Sequence, residues 1–314
     1  MSTTSAQSDP GASLAGRKIL VTGASGFIGT HLCHRLCAAG AKVTAISRAA
    51  HESPALQWLR GDVADLAFVR QAFREVAPEV VFHLASHVQG APHLEQVLPT
   101  LRANLLTTVH LLTAAAEHGA GRLVLTGSMT EPDPDQGERF PVAPYAAAKW
   151  ASSGYARMFH ALYGVPIVLA RVFMVYGPAQ FDRSKLVPYV IQSLLRGESP
   201  RLSSGTRLVD WIYVADVVEG LLALAATPGI EGRTLDLGSG RLISIRTIVE
   251  TLCRLTRLDV EPSFGALAER PMESQRVADV DATFRAVGWR SMVPLDEGLR
   301  RTIAWYGEHP DPMA

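Results

Sequence analysis

Tyr145 and Lys149 stand four residues apart in the run Tyr145-Ala146-Ala147-Ala148-Lys149. That spacing places two side chains on one face of an α-helix. A free phenol ionises at about pH 10 and shuttles protons poorly at neutrality. An ammonium within about 4–6 Å favours the phenolate and draws the phenol towards a working range. The pair therefore reads as a proton-transfer centre. A second cluster, Gly23-Ala24-Ser25-Gly26-Phe27-Ile28-Gly29, has glycine at three-residue intervals. Glycine allows a tight turn and a close backbone approach to a pyrophosphate, whose charge is favoured by the N-terminus of the helix that follows. Directly after an apolar strand, the cluster is a dinucleotide-binding turn.

The elements that must position these groups alternate along the chain. Short apolar runs at 18–21, 42–46, 80–84, 122–126 and 166–171 read as buried strands. A helical pattern through Phe27, Ile28, Leu32 and Leu36 stops at Gly40, and further helices are expected at about 64–77, 95–118 and 145–163. This alternation predicts an α/β fold, a Rossmann-type doubly wound parallel sheet covered on both faces. After Gly177 helix candidates at 185–196, 211–226, 244–257 and 294–306 alternate with short strands such as 234–237. They predict a smaller C-terminal α/β subdomain that binds substrate. The expected division is a flexible tail over 1–16, a cofactor domain over 17–175 with return segments near 208–238, and a substrate region over 176–207 and 239–314.

The GxxGxxG spacing near the N-terminus resembles the short-chain dehydrogenase/reductase superfamily, and further motifs resemble its extended branch of nucleotide-sugar epimerases and dehydratases. The resemblance covers about residues 17–305. It implies that Asp62, with Val63, contacts the adenine. It implies that Leu84, Ala85 and Ser86 of the run His83-Leu84-Ala85-Ser86 line the cofactor, and that Asn104 holds the following helix. Lys149 also binds the nicotinamide ribose in that superfamily. Its third catalytic member is a Ser or Thr at the end of the preceding strand, a position matched by Ser128, with Thr126 and Thr130 as fallbacks. At the end of the second strand stand Ser47 and Arg48 instead of the carboxylate that would hold the ribose of NAD. A hydroxyl and a guanidinium suit a 2′-phosphate, which favours NADP(H) over NAD(H).

Two departures narrow the reaction. Dehydratases of this branch carry an Asp-Glu pair immediately after the catalytic hydroxyl, where this chain has Met129 and Thr130. Met174 replaces an Asn that usually holds substrate in the run Arg171–Gly177, written RVFMVYG. At the nucleotide-sugar end, Val209 falls where the branch has a diphosphate-binding Arg. Arg207, two residues away, is the substitute expected on the same strand face. Arg270 in Glu269-Arg270-Pro271 resembles a second phosphate contact, with Arg276 as alternate, and Lys185 falls where the branch contacts nucleotide or phosphate. Thr130, Met174, Lys185, Arg207 and Arg270 are thus the expected substrate contacts. Glu131 is a loop carboxylate, expected to be solvated, with a reach to the sugar as the alternative.

Composition sets the outer bounds. The 314 residues are 47% hydrophobic and 19% charged, with 30 basic and 30 acidic side chains, so a core can form and no polyanion partner such as nucleic acid is indicated. Lysine occurs only at Lys18, Lys42, Lys149 and Lys185. No apolar run reaches the roughly 18 residues of a membrane span, and no secretory pattern opens the chain. Three cysteines, an odd number, favour a reducing cytoplasm. His31, Cys33, His34 and Cys37 crowd one helix without metal-ligand spacing, and no metal is expected. The expected activity is an NAD(P)-dependent ketoreductase acting on a nucleoside-diphosphate sugar. An epimerase with tightly held cofactor is the alternative, and a non-catalytic cofactor-binding protein the rival. The resemblance implies a homodimer through helices 95–118 and 145–163, where Ala146, Ala147, Ala148, Ala151, Ser152 and Ser153 would permit close packing.

Overall fold

The computed structural model of the chain describes residues 10–51, 56–133, 137, 140–268 and 275–309. The first apolar run forms β1 (Lys18–Thr22), and the glycine turn after it opens α1 (Phe27–Ala38). There follow β2 (Lys42–Ser47), β3 (Gln57–Arg60), α2 (Leu66–Val76) and β4 (Val80–His83). Next, α3 (Val97–Thr100) passes through a π-turn over Leu101–Leu106 into α4 (Thr107–His118). Then come β5 (Arg122–Ser128), α5 (Pro144–Tyr163) and β6 (Ile167–Val172). The strand β3 was absent from the sequence reading. Its four residues lie at a sheet edge with none fully buried, so no apolar run marks it.

Adjacent strands run parallel in the order β3-β2-β1-β4-β5-β6. A seventh, β9 (Thr234–Leu237), forms the far edge. Strand order reverses between β1 and β4, the place where open α/β sheets bind ligands beyond their carboxyl ends. Ile19, Leu20 and Val21 are all fully buried, as both-face coverage requires. On one face Leu20, Val81, Leu123 and Leu125 pack with Val69 and Phe73 of α2, Leu111 and Leu112 of α4, and Phe159 of α5. Each such side chain is worth about 1.5–3 kcal/mol relative to exposure. The sheet is therefore a rigid base for the loops at its carboxyl edge.

The chain divides into two compact units. The first gathers residues up to Val172 with Val218–Asp236 and Asp281–Trp289; the second holds Phe173–Val217, Leu237–Val280 and the remainder from Arg290. In the second, β7 (Met174–Tyr176) runs parallel to β8 (Leu208–Tyr213), which pairs antiparallel with β10 (Leu242–Ser244). The remaining helices are α6 (Leu186–Leu195), α7 (Val214–Ala226), α8 (Ile245–Thr256), α9 (Val280–Val287) and α10 (Leu295–Glu308). Residues 208–217 fall in the second unit, not with the cofactor domain, because β8 belongs to this separate sheet. Trp211–Tyr213 are strand for the same reason, so the helix expected from 211 begins at Val214. Residues 281–289 join the first unit: the Thr283 hydroxyl donates to the Asp236 carbonyl at 2.9 Å and accepts from its N–H at 3.1 Å.

Candidate active site

The glycine turn is built for close approach. Gly23 has φ +71°, and a Cβ there would stand 2.5 Å from the Ala85 nitrogen, so the turn lies against the chain leaving β4. A Cβ at Gly29 would overlap the Gly23 carbonyl, so α1 is seated directly on the turn. Gly26 is the N-cap of α1 and no side chain caps that end, while Ser25 and Gly26 are exposed. Phe27 and Ile28 begin the helix partly buried. Bare backbone N–H groups at a helix N-terminus fit a pyrophosphate.

Around this turn the other expected cofactor residues take defined places. The Asp62 carboxylate accepts from the Ala64 N–H at 2.9 Å and from Arg102 at 2.6 Å. Burial pushes it up, but those two bonds and the charges of Arg102 and Arg48 outweigh burial and hold it below the usual carboxylate range. Val63 is buried beside it. The Ser47 hydroxyl accepts from the Ala49 N–H at 3.2 Å and lies 3.0 Å from His51 Nε2, with Arg48 exposed next to it. Leu84, Ala85 and Ser86 leave β4 partly buried. Asn104, in the π-turn, accepts from the His87 N–H at 2.6 Å and donates to its carbonyl at 3.2 Å, which fixes this segment. Its Oδ1 also accepts from the Ser86 hydroxyl at 3.2 Å.

Ser128 ends β5, and Tyr145 and Lys149 lie on the first turns of α5, where Pro144 at the helix start presets the backbone. The structure brings the three together. The Tyr145 hydroxyl hydrogen-bonds Ser128 and Ser86, and the Lys149 ammonium lies 6.0 Å from the Tyr145 ring centre. Lys149 Nζ donates to the Thr126 carbonyl at 2.8 Å, and the Ser128 and Thr130 hydroxyls are 2.9 Å apart. Met129 is buried. The phenol departs from the sequence expectation. Burial pushes Tyr145 up to about 12 and the nearby Glu131 charge pushes the same way, while the bonds to Ser128 and Ser86 pull it down. Burial also lowers Lys149 to about 8, against the upward push of Glu131. His83, buried on β4 with Nδ1 2.7 Å from the Thr22 hydroxyl, is held neutral, at about 3, by burial and then by the Lys149 charge.

Glu131 is the residue that sequence reasoning misplaced. It is only 4% exposed, because its carboxylate accepts from the Ser128 N–H and from the Ser153 hydroxyl, both at 2.7 Å. The available signal was Ser128-Met129-Thr130-Glu131, the spacing of a capping box, in which a carboxylate reaches back to the first residue's N–H. Here the box closes a turn, and no helix follows it among the described residues before α5.

Of the expected sugar contacts, Thr130 belongs to the first unit and Met174, Lys185 and Arg207 to the second. Met174 is partly buried on β7, opposite Trp211 of β8. Lys185 is the N-cap residue of α6, 3.5 Å from Asp182. Arg207 immediately precedes β8, and its carbonyl accepts from the Ile245 N–H at 3.0 Å, continuing the pairing of β8 with β10; Val209 is buried. Arg270 lies outside the described residues, and Arg276 is buried. One other expectation is corrected. Ala146, Ala148, Ser152 and Ser153 are buried in their own unit, so their small size serves internal packing of α5 and not a partner helix. On α1, Cys33 is buried and its neighbour His34 exposed, on different faces. Among the described residues no group of three or more His, Cys, Asp and Glu is arranged to hold a metal, and no helix is long and apolar enough to cross a membrane.

Known proteins carry the same architecture. A dTDP-glucose 4,6-dehydratase of Streptomyces griseus is 30% identical over 320 residues, covering 93% of this chain and 94% of that one. A UDP-glucose 4-epimerase of Mycolicibacterium smegmatis is 28% identical over 315 residues, covering 92% and 98%. A trifunctional UDP-glucose 4,6-dehydratase/UDP-4-keto-6-deoxy-D-glucose 3,5-epimerase/UDP-4-keto-L-rhamnose-reductase of Arabidopsis thaliana is 25% identical over 325 residues. That alignment takes in 96% of this chain, which spans about half (48%) of the plant protein. The solved structure described as MoeE5 in complex with UDP-glucose and NAD superposes with a TM-score of 0.84 at 29% identity, covering 94% of this chain and 100% of that one. Residues 19–238, from β1 through the end of β9, match the family described as NAD dependent epimerase/dehydratase, and the chain belongs to it.

Proposed function

We propose that the protein reduces the ketone of a nucleoside-diphosphate keto-sugar, with Tyr145 as the proton donor. The observation that carries this reading is the contact of Tyr145 with Ser128 beside Lys149, where Met129 and Thr130 stand in place of a dehydratase's acidic pair. Bound nicotinamide supplies the hydride. Ser128 donates a hydrogen bond to the sugar oxygen, and Tyr145 gives that oxygen a proton as the carbon is reduced. Lys149 binds the nicotinamide ribose and keeps positive charge near the phenol. A 4-keto-6-deoxy sugar is the substrate this reading favours, with Thr130, Met174, Lys185, Arg207 and Arg270 as its contacts.

The second reading is an epimerase that returns the hydride to the opposite face of the same carbon, supported by the similarity to the mycobacterial UDP-glucose 4-epimerase. The cofactor of either is a nicotinamide dinucleotide. Ser47 and Arg48 support NADP(H), whereas the description of the MoeE5 complex names NAD. The odd number of cysteines supports a cytoplasmic setting, and exposed Leu98, Leu101 and Trp150 on α3, the π-turn and α5 support a homodimer.

A panel of nucleotide sugars, followed at the reduced-nicotinamide absorbance band, tests the reading. Stoichiometric loss of NAD(P)H with a keto-sugar supports the reductase, and an isomeric product without net redox replaces it with the epimerase. Tyr145→Phe is expected to lower kcat by about 10²–10⁴-fold with cofactor binding retained. Unchanged turnover in that variant would sink both readings.

A further inference from the structure

We propose that Glu131 is a positioning residue of the proton-transfer centre: its buried carboxylate ties the Ser128 turn to α5 and supplies the negative charge that keeps Lys149 an ammonium. This deepens the reading above and rests on it.

The geometry is that of a bridge. One carboxylate oxygen takes the Ser128 N–H and the other takes the Ser153 hydroxyl, each at 2.7 Å. Ser128 is the last residue of β5, and Ser153 lies one helical turn beyond Lys149 on α5. The two elements that carry Ser128, Tyr145 and Lys149 are thus joined through a single side chain. Gly127 shows that this side chain has space reserved for it. A Cβ at Gly127 would stand 2.6 Å from the Glu131 oxygen, while its next neighbours are at 3.7 Å.

A carboxylate is costly to bury unless something in its surroundings needs the charge. Lys149 is 5% exposed, and its hydrogen bonds to Thr126 go to a carbonyl and a hydroxyl, both neutral. The titratable groups around it are His83 on β4, Tyr145 on its own helix, and Glu131; Arg171 on β6 is paired with Asp236 at 3.1 Å. His83 is neutral in the working range, so Glu131 is the anion of this group. It raises Lys149 against the effect of burial and raises Tyr145 as well. Its charge therefore keeps both protons in place. A protonated phenol beside an ammonium is the form that delivers a proton to a ketone.

The test uses the full-length protein with ¹³C-labelled lysine. Four lysines give a spectrum simple enough to assign Lys149 by its loss in Lys149→Arg. In Glu131→Gln the Lys149 titration midpoint is expected at least about half a unit below wild type, and the alkaline limb of turnover should move with it. Should that variant not fold, Gly127→Ala, whose methyl displaces the carboxylate, is expected to shift the midpoint the same way. An unchanged or higher midpoint in whichever variant folds overturns the proposal. The readout is independent of turnover: an active Tyr145→Phe would remove the functional reading, while the Lys149 titration still decides the part played by Glu131.

Discussion

Burial and hydrogen bonding pull the reactive phenol in opposite directions. Tyr145 gains bonds to Ser128 and Ser86, yet its surroundings raise it to about 12, because a phenolate loses more solvation there than two hydroxyls restore. Lys149 carries the complementary shift, to about 8 from 10.5. Between those values the folded chain binds fewer protons at this site than the unfolded chain, so the site's contribution to stability rises with pH. The cost of burying the cation is fully present below pH 8 and is relieved as pH climbs to about 10.5. Urea midpoints of wild type and Lys149→Met measured at pH 7.5 and 10 check this. Wild type is expected to gain on the variant at the higher pH, and a constant difference would contradict it. Residue type and spacing singled out Tyr145 and Lys149 as a pair, and the family resemblance added Ser128. They did not reveal the direction of the phenol's shift, which depends on desolvation by distant parts of the chain. Nor did they show that Glu131 is buried, since its second partner, Ser153, meets it only once β5 and α5 are side by side.

At the scale of elements, the strands that were legible are those buried on both faces. The runs at β1, β2, β4, β5 and β6 are continuous and apolar because helices cover both sides of the sheet. β3 escaped notice because an edge strand needs fewer apolar residues. α9 did too: it is eight residues long, and Thr283 is its only fully buried side chain. The seat of α1 on the glycine turn leads to a direct test. Gly29→Ala puts a methyl into the Gly23 carbonyl, and the three nearest atoms are all backbone, so α1 must move. The expected loss is about 1–3 kcal/mol of stability, together with weaker dinucleotide binding by equilibrium dialysis. Gly154→Ala is the control: nothing stands within 4 Å of a Cβ there, and alanine is the better helix former. Equal effects from the two would refute the seating argument.

For the whole molecule, the cofactor is expected to act as a stabilising ligand. Nicotinamide dinucleotide at a hundred times its Kd adds about 2.7 kcal/mol, which for a unit of this size raises Tm by about 5–10 °C. Thermal melts with NAD and with NADP in parallel measure the preference at the Ser47 and Arg48 end of β2. Arg48→Ala is expected to remove any extra shift given by NADP and leave that of NAD, and loss of both shifts equally would assign Arg48 a different role. Equal numbers of basic and acidic side chains have no bearing on a ligand with two or three phosphates, which is held by a few local groups.

The π-turn at Leu101–Leu106 has an evolutionary consequence. Such a turn contains one residue more than the α-helical path it replaces. The Asn104 carbonyl inside it accepts the hydroxyls of Thr108 at 2.7 Å and Ser152 at 3.4 Å, so the extra residue is held by neighbours on two helices. Deleting it would restore regular α-helical bonding while rotating everything before it by about 100° around the axis. The helix would be more regular, and Asn104 would no longer face His87. Insertions and deletions in this stretch should therefore be tolerated by the fold and rejected by the cofactor site, a pattern opposite to that of ordinary surface loops.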